Sequence, residues 1–408
     1  MVPDRQSREN ATGRTPRRLL VLGAGPAQLG LLRAARDRGL FIVACDRDAQ
    51  APGFEYADKR AIVSAEDEPA IGKLAEAEGI EGVIAPGIDW PVAIASRVAA
   101  RFGLPHPLSP ETASLAVSKQ RQRERLNEAG VPQPEWQITT EVAGLPVPCV
   151  VKPPDRQGQK GLTLVRDAPE LAAAVELAVA ESRAGCALVE ELVEGPEVTV
   201  NAFSADGVFH PLTVTDRLTA DPPAFGVALA HAWPSAHDVT EAVEVARAAA
   251  EALGIENGPT YTQVRLAEAG ATVMELAARL GGGHDAEVCR EALGIDSNGL
   301  ALAAALGEPV SVPEPTPSGG ACVRFLVPPE GELVALQGLD EARAAEGVVD
   351  ARVYRRMGFV FGPFLRGSDR AGFVLATGSS RDDALAKSGR AADLIRFETE
   401  DAAVLQQT

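Results

Sequence analysis

Short apolar runs and amphipathic stretches follow one another from residue 18 onward. Residues 18–30 read Arg-Leu-Leu-Val-Leu-Gly-Ala-Gly-Pro-Ala-Gln-Leu-Gly. The unbroken apolar run is what a strand covered on both faces carries, and the glycines after it mark a tight turn. A helix is predicted over residues 31–38, a second strand over 41–46, a further strand over 82–86 and a helix over 89–101. Strands alternating with helices at this spacing predict a doubly wound α/β unit, closing near residue 110.

The pattern then changes. A charged helix over 120–130 is ended by Gly130-Val131-Pro132-Gln133-Pro134, which supplies both a left-handed stop and residues unable to continue it. Strands over 148–153 and 162–165 flank a turn, residues 155–161, that reads Asp-Arg-Gln-Gly-Gln-Lys-Gly. Residues 169–183 place Leu171, Ala174, Val175 and Ala178 on one helical face. Strands are predicted over 187–193 and 198–203, whereas residues 310–318, with Pro313, Glu314, Pro315 and Pro317, read as a linker. Strands over 321–327, 347–354 and 372–378 and a helix over 381–395 complete the chain. The apolar residues of this last part are read as core, with little functional content. The layout predicted is a disordered polar tail, 1–17, then segments 18–110, 111–309 and 310–408.

A chain of 408 residues with 46% hydrophobic and 24% charged residues is ordinary for a globular protein of two or three domains. The formal net charge of −18 argues against nucleic acid or an anionic membrane surface as a partner. No apolar run approaches the roughly 18 residues a membrane span needs. Cysteines at positions 45, 149, 186, 289 and 322 form no Cys-x-x-Cys pair. They are read as free thiols in the reducing cytoplasm rather than as a zinc site or disulfide framework.

The chemistry concentrates in residues 273–284, Val-Met-Glu-Leu-Ala-Ala-Arg-Leu-Gly-Gly-Gly-His. An apolar strand delivers Glu275, a candidate ligand for a hard cation held against phosphate oxygens. Arg279 adds a forked positive charge able to clamp a carboxylate or a developing oxyanion. Gly281, Gly282 and Gly283 leave backbone N–H groups open to a ligand. Upstream, Lys152 on a strand before the glycine-containing turn suits a phosphate clamp with a loop closing over it. The amino-terminal turn has Gly23 and Gly25 but Gln28 at the third position of a dinucleotide fingerprint. With Asp46 it nominally allows a nicotinamide-dependent oxidoreductase, weakly.

The order of these pieces resembles the ATP-grasp superfamily of ATP-dependent ligases, and most closely its carboxylate–amine ligase branch, which includes bacterial L-amino-acid ligases. The landmarks are Ser118-Lys119 before a helix ending Ala-Gly-Val-Pro; Val150-Val151-Lys152-Pro153 with its glycine loop; Val189 to Glu197; and Gly258 to Gln263 followed by Glu275 to Gly283. The resemblance covers residues from about Leu19 to Asp296. It implies an α/β ATP-grasp fold over 111–309, preceded by a Rossmann-like domain over 18–110 that does not bind NAD and followed by a small α+β cap over 310–408.

The resemblance further implies ATP and Mg2+, or Mn2+, as cofactors. Lys119, Lys152, Gly158, Gly161, Glu190, Glu191, Val193 and Glu197 would hold the nucleotide. Glu190 and Val193 would meet adenine at the hinge and Glu197 the ribose hydroxyls. Glu275 and Gln263 would hold the metal. Arg279, Gly282 and Lys160 would serve the chemistry, in which an acyl-phosphate is formed and displaced by an amine. Arg217, His231, Ser235 and His284 are candidates for contacting the substrate, as is a cap role for His284. Two positions depart from the family's habit: Gln263 stands where a glutamate is common, and Ala277 where an asparagine is. These leave open a degenerate ATP-binding protein. A carboxylase or formate-dependent ligase is the other alternative. The expected partners are a small-molecule carboxylate and amine, and a homodimer is the base-rate expectation for assembly.

Overall fold

A computed structural model describes residues 16–401. The tail expected over residues 1–17 therefore lies outside the described residues up to position 15.

The first unit is a four-stranded parallel sheet in the order Lys59–Ile62, Phe41–Asp46, Arg18–Leu22, Gly82–Ile84. Leu19, Leu20, Val21 and Leu22 are fully buried, because helices cover both faces as the apolar run demanded. One of them, Trp90–Phe102, begins with Pro91 in its first turn and ends at Gly103, whose φ of 64° lets the chain leave the helix without strain. Gln28 fills the glycine turn. Its amide donates to Pro86 O at 2.7 Å, and a Cβ on Gly23 would lie 2.9 Å from the Gln28 side chain. Asp46 is engaged as well, accepting from the backbone N–H of Ala24 and Asp48 at 2.9 Å. A turn whose concavity is occupied by its own side chain is a structural turn rather than a pyrophosphate cradle.

A second, antiparallel sheet of four strands runs Trp136–Thr139, Ala187–Glu191, Cys149–Lys152, Thr163–Val165. The Leu171–Glu181 helix seals one face with the apolar stripe expected of it: Leu171, Ala174, Val175 and Ala178 are all buried.

The centre is an eight-stranded antiparallel sheet in the order Gly270–Ala277, Gly258–Ala267, Glu197–Ala205, Val208–Thr219, Ala228–Trp233, Gly320–Leu326, Gly372–Gly378, Val348–Val353. Residues 213–237 include two paired strand segments, with Arg217 opposite His231 in the register. One reading changes here. The segment beyond residue 310 supplies three of the eight strands, so it continues the central sheet; a separate three-stranded sheet (Val360–Phe361, Gly331–Gln337, Arg396–Glu400) is its independent part. No helix among the described residues is long and apolar enough to cross a membrane. All five cysteines are free thiols, four of them buried.

Candidate active site

A cavity of about 630 Å³ opens where these sheets meet. The four-stranded antiparallel sheet contributes Val150, Lys152 and Glu190, with Leu192 and Val193 just beyond its Ala187–Glu191 strand; the central sheet contributes Arg217, His231, Tyr261, Gln263, Met274 and Glu275. Gln28, Gly87 and Asp89 come from the first unit, and Gly158 and Lys160 from the glycine loop.

Charge pairs organise its wall. The Glu190 carboxylate is 1% exposed and bridges Arg123 at 2.8 Å and Lys152 at 2.6 Å. Burial alone would raise its pKa, but the two cations outweigh burial and hold it at about 2. Arg123 also donates to Val273 O and Met274 O, joining the helix Lys119–Glu128 to the strand that carries Glu275. Lys119, the first residue of that helix, meets Glu275 at 2.9 Å. Burial works against both charges, yet each partner's attraction prevails, pushing Glu275 down and Lys119 up. Arg279 pairs with Asp89 at 2.7 Å and lies 5.2 Å from the centre of the Tyr261 ring.

Of the residues expected at the site, the structure gathers Lys119, Lys152, Gly158, Lys160, Glu190, Val193, Glu197, Arg217, His231, Gln263, Glu275, Arg279 and Gly282 around the cavity. Several do something other than expected. Glu197 is locked between Arg217 at 2.8 Å and Arg265 at 2.9 Å, so neither its carboxylate nor the Arg217 guanidinium is unpartnered. Lys160 pairs with Glu181 at 2.8 Å at a half-exposed rim of the cavity. The Glu190 side chain is spent on Arg123 and Lys152.

Four expected residues are not on the cavity wall. Glu191 points to solvent. Gly161, at φ 71°, is a turn position packed against Pro153. Ser235 donates to Asp216 at 2.5 Å. His284, at φ 59°, precedes the Asp285–Leu293 helix; its ring stacks on Phe373 at 3.8 Å and its Nε2 is 2.6 Å from the Tyr354 hydroxyl. His231 faces the buried Asp285, Nδ1 to Oδ1 3.9 Å, and burial pushes its pKa down to about 4.

Sequence reasoning missed Asp89, Arg123, Tyr261, Tyr354 and Arg370. Arg123 is one of several charges on a helix that alternates Gln, Arg and Glu, and nothing local separates the buried one from the solvated ones. Arg370 sits in the segment assigned to core packing.

Gly282 shows how tightly the units close. A Cβ there would lie 2.9 Å from Gly87 O and 3.3 Å from the Ala27 side chain. Gly282→Ala is expected to destabilise by about 1–3 kcal/mol and to lower turnover by parting these loops. Thermal unfolding and kcat measured on the same preparation check this.

The donor set fits a nucleotide and one hard cation. Val150, Leu192 and Met274 line an apolar part of the cavity suited to a base, and Lys119, Lys152 and Arg279 supply positive charge for phosphates. Among the described residues no three His, Cys, Asp or Glu side chains converge as a metal cage. Glu275 and its cross-strand partner Gln263 instead offer two oxygen-bearing side chains. That suits magnesium, which takes one or two carboxylates and completes its shell with phosphate oxygens and water.

The comparisons agree with this geometry. Residues 145–287 match the family model for an ATP-grasp domain, and residues 324–400 that for the L-amino acid ligase C-terminal domain 2. The uncharacterized protein y4rH of Sinorhizobium fredii is 28% identical over 309 residues, spanning 72% of this chain and 63% of that one, somewhat under two thirds. The formate-dependent phosphoribosylglycinamide formyltransferase of Burkholderia cenocepacia is 27% identical over 405 residues, 93% of this chain and 95% of that one. Among solved structures, an L-amino acid ligase from Bacillus licheniformis superposes with a TM-score of 0.80 at 21% identity, covering 95% of this chain and all (100%) of that one. At that identity the likeness speaks to the fold.

Proposed function

We infer, from a chain that belongs to the ATP-grasp superfamily and carries the carboxy-terminal domain of an L-amino acid ligase, that it joins a small-molecule carboxylate to an amine at the expense of ATP. The substrate carboxylate attacks the γ-phosphorus of ATP, breaking its bond to the bridging oxygen and releasing ADP. The amine then attacks the acyl carbon and phosphate leaves, with the amine proton lost to solvent or a base. The observation that carries the reading is the convergence of Lys119, Lys152, Glu275 and Arg279 on one cavity. It provides positive charge where phosphoryl oxygens gain charge and needs no protein nucleophile.

Each residue then has a task. Lys152 is held by Glu190 so that its ammonium faces the cavity, and Arg123 fixes Glu190 in turn. Arg279, steered by Asp89, lies over Tyr261 where the acyl oxygen would become negative. Glu275 and Gln263 would hold magnesium, which supplies charge neutralisation of the phosphates when bound. The loop 155–161 excludes water when it lies over the site; the Gln157 side chain already accepts from the backbone N–H of Asp89. The same reading carries the cytoplasm as compartment, supported by five unpaired thiols, and a homodimer as assembly.

The test is phosphate release with ATP and magnesium against amino acids singly and in pairs. Release that requires an acid and an amine together is the expected result. Release driven by formate or bicarbonate would move the chain to formyl- or carboxyphosphate chemistry; the Burkholderia relative is by name a formate-dependent formyltransferase.

A further inference from the structure

We propose that Tyr354 receives the proton shed by the attacking amine while passing its own to His284, which Glu287 holds in place behind it. This rests on the ligase reading, which left that proton to solvent or a base, and adds to it the group that takes it. Tyr354 is the catalytic residue; His284 and Glu287 act through it and are positioning residues.

Tyr354 lines the cavity just beyond the Val348–Val353 strand, and its hydroxyl lies 2.6 Å from His284 Nε2. Behind the imidazole, Glu287 Oε2 is 3.6 Å from Nδ1, and Glu287 Oε1 accepts from Asn298 Nδ2 at 3.0 Å. Burial alone would raise the Glu287 pKa, but the contact with His284 outweighs it and holds the group at about 2. An ionised carboxylate on that side draws the ring proton to Nδ1, so Nε2 is the acceptor and the Tyr354 hydroxyl the donor. Burial raises the Tyr354 pKa, which keeps the hydroxyl protonated for that bond. A phenol that donates its hydrogen retains oxygen lone pairs for a second partner, and no described residue donates to them.

The mount is rigid and strained. The imidazole stacks on Phe373, ring centres 3.8 Å apart, and Phe373 sits on the strand that pairs with the one ending before Tyr354. His284 stands at φ 59°, directly after three glycines. A left-handed backbone is disfavoured for a residue with a Cβ and open to glycine, and a strained residue held in this way points to function. The same loop carries Arg279, Gly282 and Gly283 on the cavity wall. Other groups near the reacting charges are poorly placed to take a proton. Asp89, Glu190, Glu197 and Glu275 are each bound to a cation. The other cavity imidazole, His231, has its Nδ1 enclosed without a hydrogen-bond partner, and burial first, then Arg217 and Arg370, hold its pKa at about 4.

As the amine nitrogen bonds to the acyl carbon, the bond from that carbon to the phosphate oxygen breaks and phosphate leaves with the electron pair. One N–H proton moves to Tyr354 Oη, the Tyr354 proton moves to His284 Nε2, and the imidazolium so formed faces Glu287. Return of that proton through Tyr354 to the departing phosphate or to water restores the neutral pair.

The test uses the full-length chain with the acid and amine that give the fastest phosphate release in the wild type. Two rates are read for each protein. One is amide formation; the other is acid-dependent scrambling of labelled oxygen between the bridging and non-bridging β positions of ATP, which reports acyl-phosphate formation without the amine. Tyr354→Phe keeps the ring and loses Oη, and is expected to lower kcat for amide formation about 10²-fold with scrambling unchanged. His284→Asn, asparagine being tolerated at positive φ, should give a similar loss. The double variant should be no slower than the slower single one, because the residues act as a unit. Amide formation at the wild-type rate in Tyr354→Phe, scrambling that falls in step with amide formation, or losses that multiply in the double variant would each overturn the relay. If His284→Asn does not fold, the two rates of Tyr354→Phe still decide. A wild type with neither scrambling nor phosphate release overturns the ligase reading and the relay with it, whereas an active wild type indifferent to Tyr354→Phe overturns the relay alone.

Discussion

Replacing Glu275 by glutamine is expected to lower kcat/KM for ATP-dependent phosphate release by about 10³, the rate equivalent of the several kcal/mol a bound cation contributes to charge stabilisation. Two things are lost together. The carboxylate is the charged member of the two-residue donor set, since its cross-strand partner Gln263 is a neutral amide. It is also the partner of Lys119 at 2.9 Å, so the glutamine leaves a buried ammonium without its counter-charge. The companion variant Gln263→Glu places a second carboxylate on the neighbouring strand and is expected to tighten magnesium binding roughly tenfold, the affinity rising with ligand charge. Magnesium titrations of activity on the three proteins check both effects. Near-native turnover in Glu275→Gln would remove this residue from the site and make the donor set wrong.

The largest effect on stability is expected at Glu190. Glu190→Ala leaves Arg123 and Lys152 as buried cations with no carboxylate between them, and breaking a buried pair from one side costs about 3–5 kcal/mol. The variant should unfold at clearly lower urea concentration than the wild type. Its pH dependence is a second signature. The folded-state pKa of Glu190 is depressed to about 2 from the ordinary value of 4.5, so its contribution is fully present above the ordinary value and is lost as pH falls toward the folded one. Between pH 5 and pH 2 the wild type should therefore lose more stability than Glu190→Gln, in which this group no longer titrates. Parallel loss in the two proteins, by denaturant unfolding, would show that Glu190 is not the bridge the geometry describes.

Local order was legible because it depends on neighbours in the chain. The run Leu19 to Leu22 announced a strand buried on both faces, the stripe from Leu171 to Ala178 announced the face of its helix, and the Gly-Val-Pro stop after Glu128 ended the helix that presents Lys119. The Glu275 to Gly283 stretch carried its chemistry in its own letters, since strand, acid, arginine and glycines stand side by side. His284 was left open between a substrate contact and a cap for the complementary reason, and it takes the N-cap position of the Asp285–Leu293 helix. A left-handed residue after three glycines can turn its side chain to either side of the loop, and the choice was made by Phe373 and Tyr354, far along the chain. Ser235 and Glu197 were claimed by Asp216 and by two arginines that no spacing rule connects to them.

What the sequence determined by itself is therefore the α/β class, the succession of elements and the candidate nucleotide and metal residues, because periodicity, glycine stops and charge at strand ends act over a few residues. Tertiary structure alone decided which charges are neutralised and which remain open to a ligand. Glu190 became a buried bridge, Arg217 a partner of Glu197, and Arg370 a cavity cation without a carboxylate, through strand register and packing between segments that are not neighbours in the chain. Those pairings arise from burial and the cost of enclosing an uncompensated charge, and neither is expressed until the sheets have come together.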